Sequence, residues 1–445
     1  MDEISKIIID NEYMKCEFFD YKNACINPNI EIFRSQCLFK ILTEFIEVVT
    51  KKLGIEIFSI KKNYIRTLTN IFSSWLFVQY TREDCIKDPI IPSGNITYDT
   101  LIVTLIDMMK YDSAIIEDKR VNIANEIIEN LDLKEKCLFN INKINEYINS
   151  DEIKNKNNFL ISKSLKIKKR KKELGNLEYY TFKISDIDIE IDNENVNKIL
   201  KNIKIAKSVY LKLLNKFIKY KETHEVNYNL DTLVWCLLFR YITLGSHNHQ
   251  LAVIPSVMNK LKTNYNLNIE LFASGINHYF DNYCSLFYDI EKHFGSCGSF
   301  FNFKPIRGLF GFNPPYENNL MENGVNKIIS HLDSSELENE PLGFVVTIPI
   351  WDKEGKDIME NDFNSKPGKN MSIDYGDYNV INIIENSPYL KLKKMVPKYN
   401  FSYLDYFNMI YKDKTIQNTY VILLTNSHLK LDVNILSNID FKYII

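Results

Sequence analysis

The stretch Gly308-Leu309-Phe310-Gly311-Phe312-Asn313-Pro314-Pro315-Tyr316 decides how this chain is read. An apolar run ends at an amide, two prolines and an aromatic ring, which reads as a strand that stops abruptly. Proline has no backbone N–H, so Pro314 and Pro315 offer carbonyl oxygens only. A residue before proline is pushed out of the α region, so Asn313 is expected extended at the strand tip. The Asn313 side-chain oxygen beside a proline carbonyl makes two acceptors suited to one planar NH₂ group. Tyr316 offers a flat face to the ring that carries this group. Such an arrangement suits methylation of an amino group on a flat heterocycle, or of a side-chain amide.

The lone pair of adenine's 6-amino group is delocalised into its ring and attacks poorly. Two acceptors gripping its hydrogens favour a pyramidal nitrogen aimed at a methyl sulfonium, so the gain is one of positioning and aimed dipoles. No metal or strong base is needed. The plainer reading of the same residues is a loop that closes a buried strand, with the prolines stopping the sheet.

Outward from this stretch, strands alternate with helices. Asn268 to Phe272 reads as a strand ending in Ala273-Ser274-Gly275, and Pro255 opens the helix before it. A helix with Leu320, Val325, Ile328, Ile329 and Leu332 follows the proline turn. Then come a strand from Gly343 to Pro349, a polar insertion and a final strand from Thr419 to Thr425. Alternation of this kind predicts a mostly parallel α/β sheet, with ligands at the carboxyl ends of its strands. That gathers Ala273-Ser274, Asn313 to Tyr316 and Pro349-Ile350-Trp351 around one crevice.

The N-terminal part is helical in pattern. Cys37, Leu38, Ile41, Leu42, Phe45, Val48 and Val49 follow helical spacing up to Gly54, and a second helix near Ile65 to Tyr80 carries Trp75. Lys166 to Lys172 is a basic run, read either as a solvated helix face or exposed loop, or as a phosphate-binding patch or nuclear-localisation signal. Glu178 to Asp192 alternates at strand period and predicts a hairpin. The expected organisation is a helical domain over 1–175, a connecting hairpin and helices over 176–233, and a sheet domain over 234–445.

With 445 residues, 55 Lys and Arg against 57 Asp and Glu, the chain has room for two or three domains and no global charge signature for nucleic acid. The eight cysteines show no paired zinc-ligand spacing, and several lie in apolar runs as reduced core thiols do. The seven histidines form no helical pair at metal spacing, so no metal is expected. The start Met1-Asp2-Glu3 is acidic where a signal peptide is basic, and no apolar run approaches a membrane span. A soluble, intracellular protein is expected, in the cytoplasm (a viral factory included) or the nucleus.

Phe272-Ala273-Ser274, Asn277, Tyr279-Phe280, Tyr283-Cys284-Ser285, Phe287, Asp289, Phe294-Gly295-Ser296, Gly298, Phe303, Pro305, Gly308, Phe310 and Asn313-Pro314-Pro315 follow one another at characteristic spacing. Together they resemble the catalytic core of the phosphorylated-CTD-interacting-factor family. Its members are cap-specific adenosine N6-methyltransferases, which use S-adenosyl-L-methionine on the first transcribed 2′-O-methyladenosine beside the N7-methylguanosine cap. The resemblance covers roughly residues 70–426 and is strong over 234–351.

The resemblance implies a Rossmann-like class I S-adenosylmethionine methyltransferase sheet, an α/β fold, with an N-terminal α-helical domain. It implies that Asn313, Pro314, Pro315 and Tyr316 are the catalytic residues, that Asn313 and Pro314 hold the adenine amino group and that Tyr316, commonly Phe in the family, stacks on the base. Glu317 is either an acceptor for the nucleotide or the acidic residue that opens the next helix. Ala273, Ser274, Asn277, Asp289, Phe294, Gly295 and Ser296 fall where the family's cofactor pocket lies, and Trp351 matches a substrate-contact position. The two spaced tryptophans of the family's WW module are absent, so polymerase-tail binding by this chain is not expected. The family's Arg-Glu-Pro-Pro after the tryptophan is here Asp352-Lys353-Glu354-Gly355, so contacts to the cap differ. The implied partner is a capped RNA 5′ end. Other N6-adenine methyltransferases, acting on internal RNA or DNA, a glutamine-amide methyltransferase and a catalytically silent cap- or RNA-binding subunit are the alternatives.

Overall fold

Helix Pro28–Lys52 begins where the Asn27 side chain accepts the N–H of Asn29, with Pro28 at the first helical position. In a computed structural model describing residues 26–54, 62–82, 88–110, 115–150, 168–174, 177–184, 187, 189–245, 250–350, 379–412 and 418–443, the chain divides into two units after His247. The buried stripe of this first helix, Cys37, Leu38, Ile41, Phe45 and Val49, packs in the helical unit. Helices Lys62–Tyr80, Glu117–Leu131, Leu133–Asn149 and Leu230–Thr243 lie against it. Trp75 is fully buried, its indole N–H donating to the Thr97 carbonyl.

A charge network sits inside this unit. Arg34 donates to Glu31 and Asp88, and Arg240 makes two hydrogen bonds to Glu31, with all four residues buried. Each charge there has an opposite partner, the condition under which buried ions are tolerated. The helix Leu230–Thr243, which sequence pattern joined to the sheet domain, belongs to this unit instead, because Arg240 and a fully apolar face are committed to it.

The basic run also departs from expectation. Neither helix nor loop forms over its described part; Lys168–Leu174 is a strand, β1, paired antiparallel with β2 (Leu177–Lys183), which pairs in turn with β3 (Lys204–Ala206). The hairpin thus lies upstream of the predicted Glu178 to Asp192, since β-branched and aromatic residues of β2 recruit the basic segment as partner.

The second unit carries β4 (Leu251–Val253), β5 (Ile269–Glu270), β6 (Asn282–Tyr283), β7 (Gly308–Phe312), β8 (Leu342–Pro349), β9 (Leu390–Val396), β10 (Tyr403–Asp405), β11 (Ile410–Lys412) and β12 (Thr419–Thr425). Six of these form one sheet in the order β6-β5-β7-β8-β12-β9. β6, β5, β7 and β8 are parallel, and β12 runs antiparallel to both β8 and β9. A smaller sheet has the order β11-β10-β4. The fold is α/β. Strands β9, β10 and β11 arise within what the sequence showed as a polar insertion.

Alternation along the strands separates two cores. Phe310, Phe312, Phe344, Val346, Ile348, Ile422 and Leu424 face one, which helix Asn318–Leu337 covers through Met321, Val325, Ile328 and Leu332. Leu309, Val345, Val421 and Leu423 face the other, covered by Val257, Met258 and Leu261 of helix Pro255–Tyr265. All eight residues of β8 are buried, as a central strand covered on both faces requires. Because β5 through β8 run parallel, Ala273, Ser285, Asn313 and Ile350 follow strands whose carboxyl ends share one edge of the sheet. Among the described residues no helix is long and apolar enough to cross a membrane.

Candidate active site

β7 ends at Phe312 and the next helix begins at Asn318, so Asn313 to Glu317 form a five-residue turn held at both ends. At its far end the Glu317 carboxylate accepts the N–H of Leu320 at 2.7 Å and caps the helix. Its near end is pinned by the Phe312 ring, which lies so close to Gly324 that a Cβ there would stand 2.4 Å from Phe312 Cζ. Inside the turn, Glu317 N–H donates to the Pro315 carbonyl at 2.8 Å. That oxygen is thereby engaged.

The neighbouring acceptors are in a different state. Asn313 Oδ1 is buried and receives no hydrogen bond among the described residues. The Pro314 carbonyl receives no backbone N–H there either. Leaving a buried acceptor unsatisfied costs about 1–3 kcal/mol, so such groups call for a reason.

Tyr316 is half-buried between the two cores. Its hydroxyl hydrogen-bonds that of Tyr403 on β10, and the two rings meet edge to face with centroids 6.3 Å apart and planes at 77°. Burial pushes the Tyr403 hydroxyl up to about 12, so it stays protonated through neutral pH.

The loop after β5 is built by its own side chains. Asn277 Oδ1 accepts from the Ser274 N–H at 2.7 Å and from the Ser274 hydroxyl, while Ser274 Oγ accepts the N–H groups of Ile276 and Asn277. Ala273 N–H donates to Cys284, tying this loop to the one after β6. There, Ser296 Oγ meets Ser285 Oγ at 2.6 Å and accepts the Gly298 N–H. Gly295 has φ +99°, a left-handed value that glycine adopts without a Cβ penalty. Phe294 is fully buried and Asp289 opens the short helix Tyr288–Glu291. Thus Ala273, Ser274, Asn277, Asp289, Phe294, Gly295 and Ser296 all lie in the two segments after β5 and β6, and Trp351 lies outside the described residues.

Three residues here went unnoticed in the sequence. Glu291 is fully buried and its two carboxylate oxygens receive Gly275 N–H and Phe287 N–H, one from each loop. Glu270, at the end of β5, accepts the N–H groups of Tyr279 and Phe280. Thr347 lines, with Glu270, Phe272, Phe312 and Asn313, a cavity of about 20 Å³. That space is on the scale of one water molecule, far below that of a cofactor. An acidic residue inside the run Asn268-Ile269-Glu270-Leu271-Phe272 was a legible signal; nothing marked Glu291 or Thr347.

Residues 211–378 match the family model described as Phosphorylated CTD interacting factor 1 WW domain. The matched segment runs from before β4 to beyond β8 and includes the Asn313 to Glu317 turn. A mouse protein named mRNA (2′-O-methyladenosine-N(6)-)-methyltransferase is 39% identical over 124 residues, which are 26% of this chain and 17% of that protein. Its human counterpart of the same name matches with the same identity and coverage. The likeness therefore spans 17% of the length of these curated relatives. The segment that holds the strand-tip turn is thus where the chain is similar to the phosphorylated-CTD-interacting-factor family.

Proposed function

We propose that this protein is an S-adenosylmethionine-dependent methyltransferase acting on the 6-amino group of the adenosine next to an mRNA cap. One observation carries the reading: at the carboxyl end of β7, Asn313 Oδ1 is buried and receives no hydrogen bond among the described residues, and the carbonyl of the next residue, Pro314, receives no backbone N–H there. Two adjacent acceptors match the two hydrogens of one amino group. The mouse and human relatives, named for N6 transfer to 2′-O-methyladenosine of mRNA, support the choice of acceptor.

In this reading Asn313 Oδ1 and Pro314 O hold the amino hydrogens and turn the nitrogen lone pair out of conjugation. Tyr316 stacks on the base and sets its plane. Glu317, committed to the helix cap, holds the turn from behind. Preorganised dipoles of this kind need no reorganisation during reaction. S-adenosylmethionine, when bound, supplies a methyl on a cationic sulfur. The residues present fit such a cofactor in their chemistry: Asp289 is a carboxylate for hydroxyl or ammonium groups, and the φ-positive Gly295 allows close approach. The small cavity beside Asn313 does not hold it. The four parallel strands with one reversed strand, β12, between β8 and β9 support a Rossmann-like sheet of the methyltransferase class.

Labelled methyl transfer to short RNAs beginning with adenosine, capped and uncapped, followed by nucleoside analysis, tests the proposal. Label on N6 of the first adenosine only when the cap is present is the expected result. Label on uncapped or internal adenosine keeps the chemistry and removes the cap. No transfer to any RNA overturns the reading in favour of another acceptor or a silent binding subunit.

A further inference from the structure

The ring of Tyr316 is held at two points by a residue on a different sheet. Its hydroxyl reaches Tyr403, and its ring meets the Tyr403 ring edge to face. These two contacts constrain different torsions. A tyrosine hydroxyl lies on the axis about which its ring flips, so the hydrogen bond fixes where the axis points but not the ring plane. The edge contact fixes the plane. Neither contact suffices alone.

Tyr403 is itself well anchored. It is 4% exposed and lies in register with Val253 of β4 and Lys412 of β11. Phe401 packs on it at 4.6 Å between centroids, and Phe441 stacks on Phe401 at 5.1 Å with planes 18° apart. Ser402 N–H donates to the Phe441 carbonyl, so this aromatic row is tied at its backbone too. A half-buried ring on a turn is thus referred to a rigid, fully packed column.

We infer that Tyr403 is a positioning residue for methyl transfer, clasping Tyr316 so that the plane on which the acceptor base stacks is set before the base arrives. The inference rests on the proposed function and deepens it. A ring already oriented spares the bound state the entropy of ordering it and keeps the amino nitrogen aligned with Asn313. A phenylalanine at 316, common in the family, has no such clasp. This chain therefore draws on a contact outside the resembling motif.

The test is a cycle of Tyr403→Phe, Tyr316→Phe and the double variant, with kcat and KM read for capped RNA and for S-adenosylmethionine. Each single variant is expected to lose between about threefold and tenfold in kcat/KM for RNA, the scale of one hydrogen bond, with KM for the methyl donor unchanged. The double variant should be no worse than either single one. Losses that multiply in the double variant, or a Tyr403→Phe protein with wild-type kinetics, would overturn the clasp. Should wild-type protein transfer methyl to no nucleic acid, the functional reading fails and the clasp is read from a crystal structure of Tyr403→Phe. A Tyr316 ring in more than one rotamer supports it, and an unmoved ring overturns it.

Discussion

The carboxylate of Glu291 receives the N–H of Gly275 at 2.6 Å, and its other oxygen takes Phe287 N–H at 3.0 Å. One buried side chain thereby staples the loop after β5 to the loop after β6, the two segments proposed to hold the cofactor. Glu291→Ala would leave two backbone donors buried without acceptors. The expected cost is about 3 kcal/mol, read as a lower denaturant midpoint at constant slope, together with weaker S-adenosylmethionine binding. A loss under about 1 kcal/mol would mean that the loops hold without the staple.

Gly324 tests the link between the core and the turn. Replacing a helical glycine with alanine ordinarily stabilises by about 1 kcal/mol. Here the new Cβ would meet the buried Phe312 ring at 2.4 Å and push on the residue that precedes Asn313. Forced core displacement costs about 1–3 kcal/mol, so the net sign is destabilising. Gly324→Ala should lower both the melting temperature and kcat. A more stable, fully active variant would show that Phe312 moves aside without disturbing Asn313.

His331, on the helix that follows the turn, has a buried Nε2 with no partner among the described residues. Burial first, then Lys327 and Lys304, push its titration down from 6.5 to about 4, against a smaller opposing effect of the Phe303 carbonyl. The folded state therefore favours the neutral ring. The contribution is fully present above the unfolded value and is lost as pH falls from about 6.5 towards 4, where the unfolded chain takes the proton first. Between pH 7 and 5 the wild type should lose about 2 kcal/mol more than His331→Phe, in urea melts at both pH values. Parallel losses in the two proteins would assign the pH dependence elsewhere.

The strand Gly308 to Phe312, its abrupt end and the helix beyond it were legible because local pattern and burial agree there: Phe310 and Phe312 face one core, and Glu317 caps the helix. The parallel arrangement of β5, β7 and β8 followed from strand–helix alternation. What was hidden depends on distance along the chain. Tyr316 and Tyr403 are 87 residues apart, and Gly275 and Glu291 are 16 apart, so no periodicity announces either pair. Strands β9 to β11 were missed because Leu390–Val396 carries three lysines and reads as polar. As an edge strand it keeps those charges at little cost. The basic β1 was misread for the same reason.

Asn313 is the residue on which the proposed chemistry depends. The most direct measurement is single-turnover methyl transfer to capped RNA by wild-type protein and by Asn313→Ala, with thermal melting of both. Removing one of the two acceptors should slow transfer by about 10²–10³-fold, the scale seen when a preorganised polar contact to a reacting group is deleted. The melting temperature should hold or rise, since a buried acceptor without a partner is removed. Turnover retained in a folded Asn313→Ala protein would contradict the assignment of this turn as the site of chemistry.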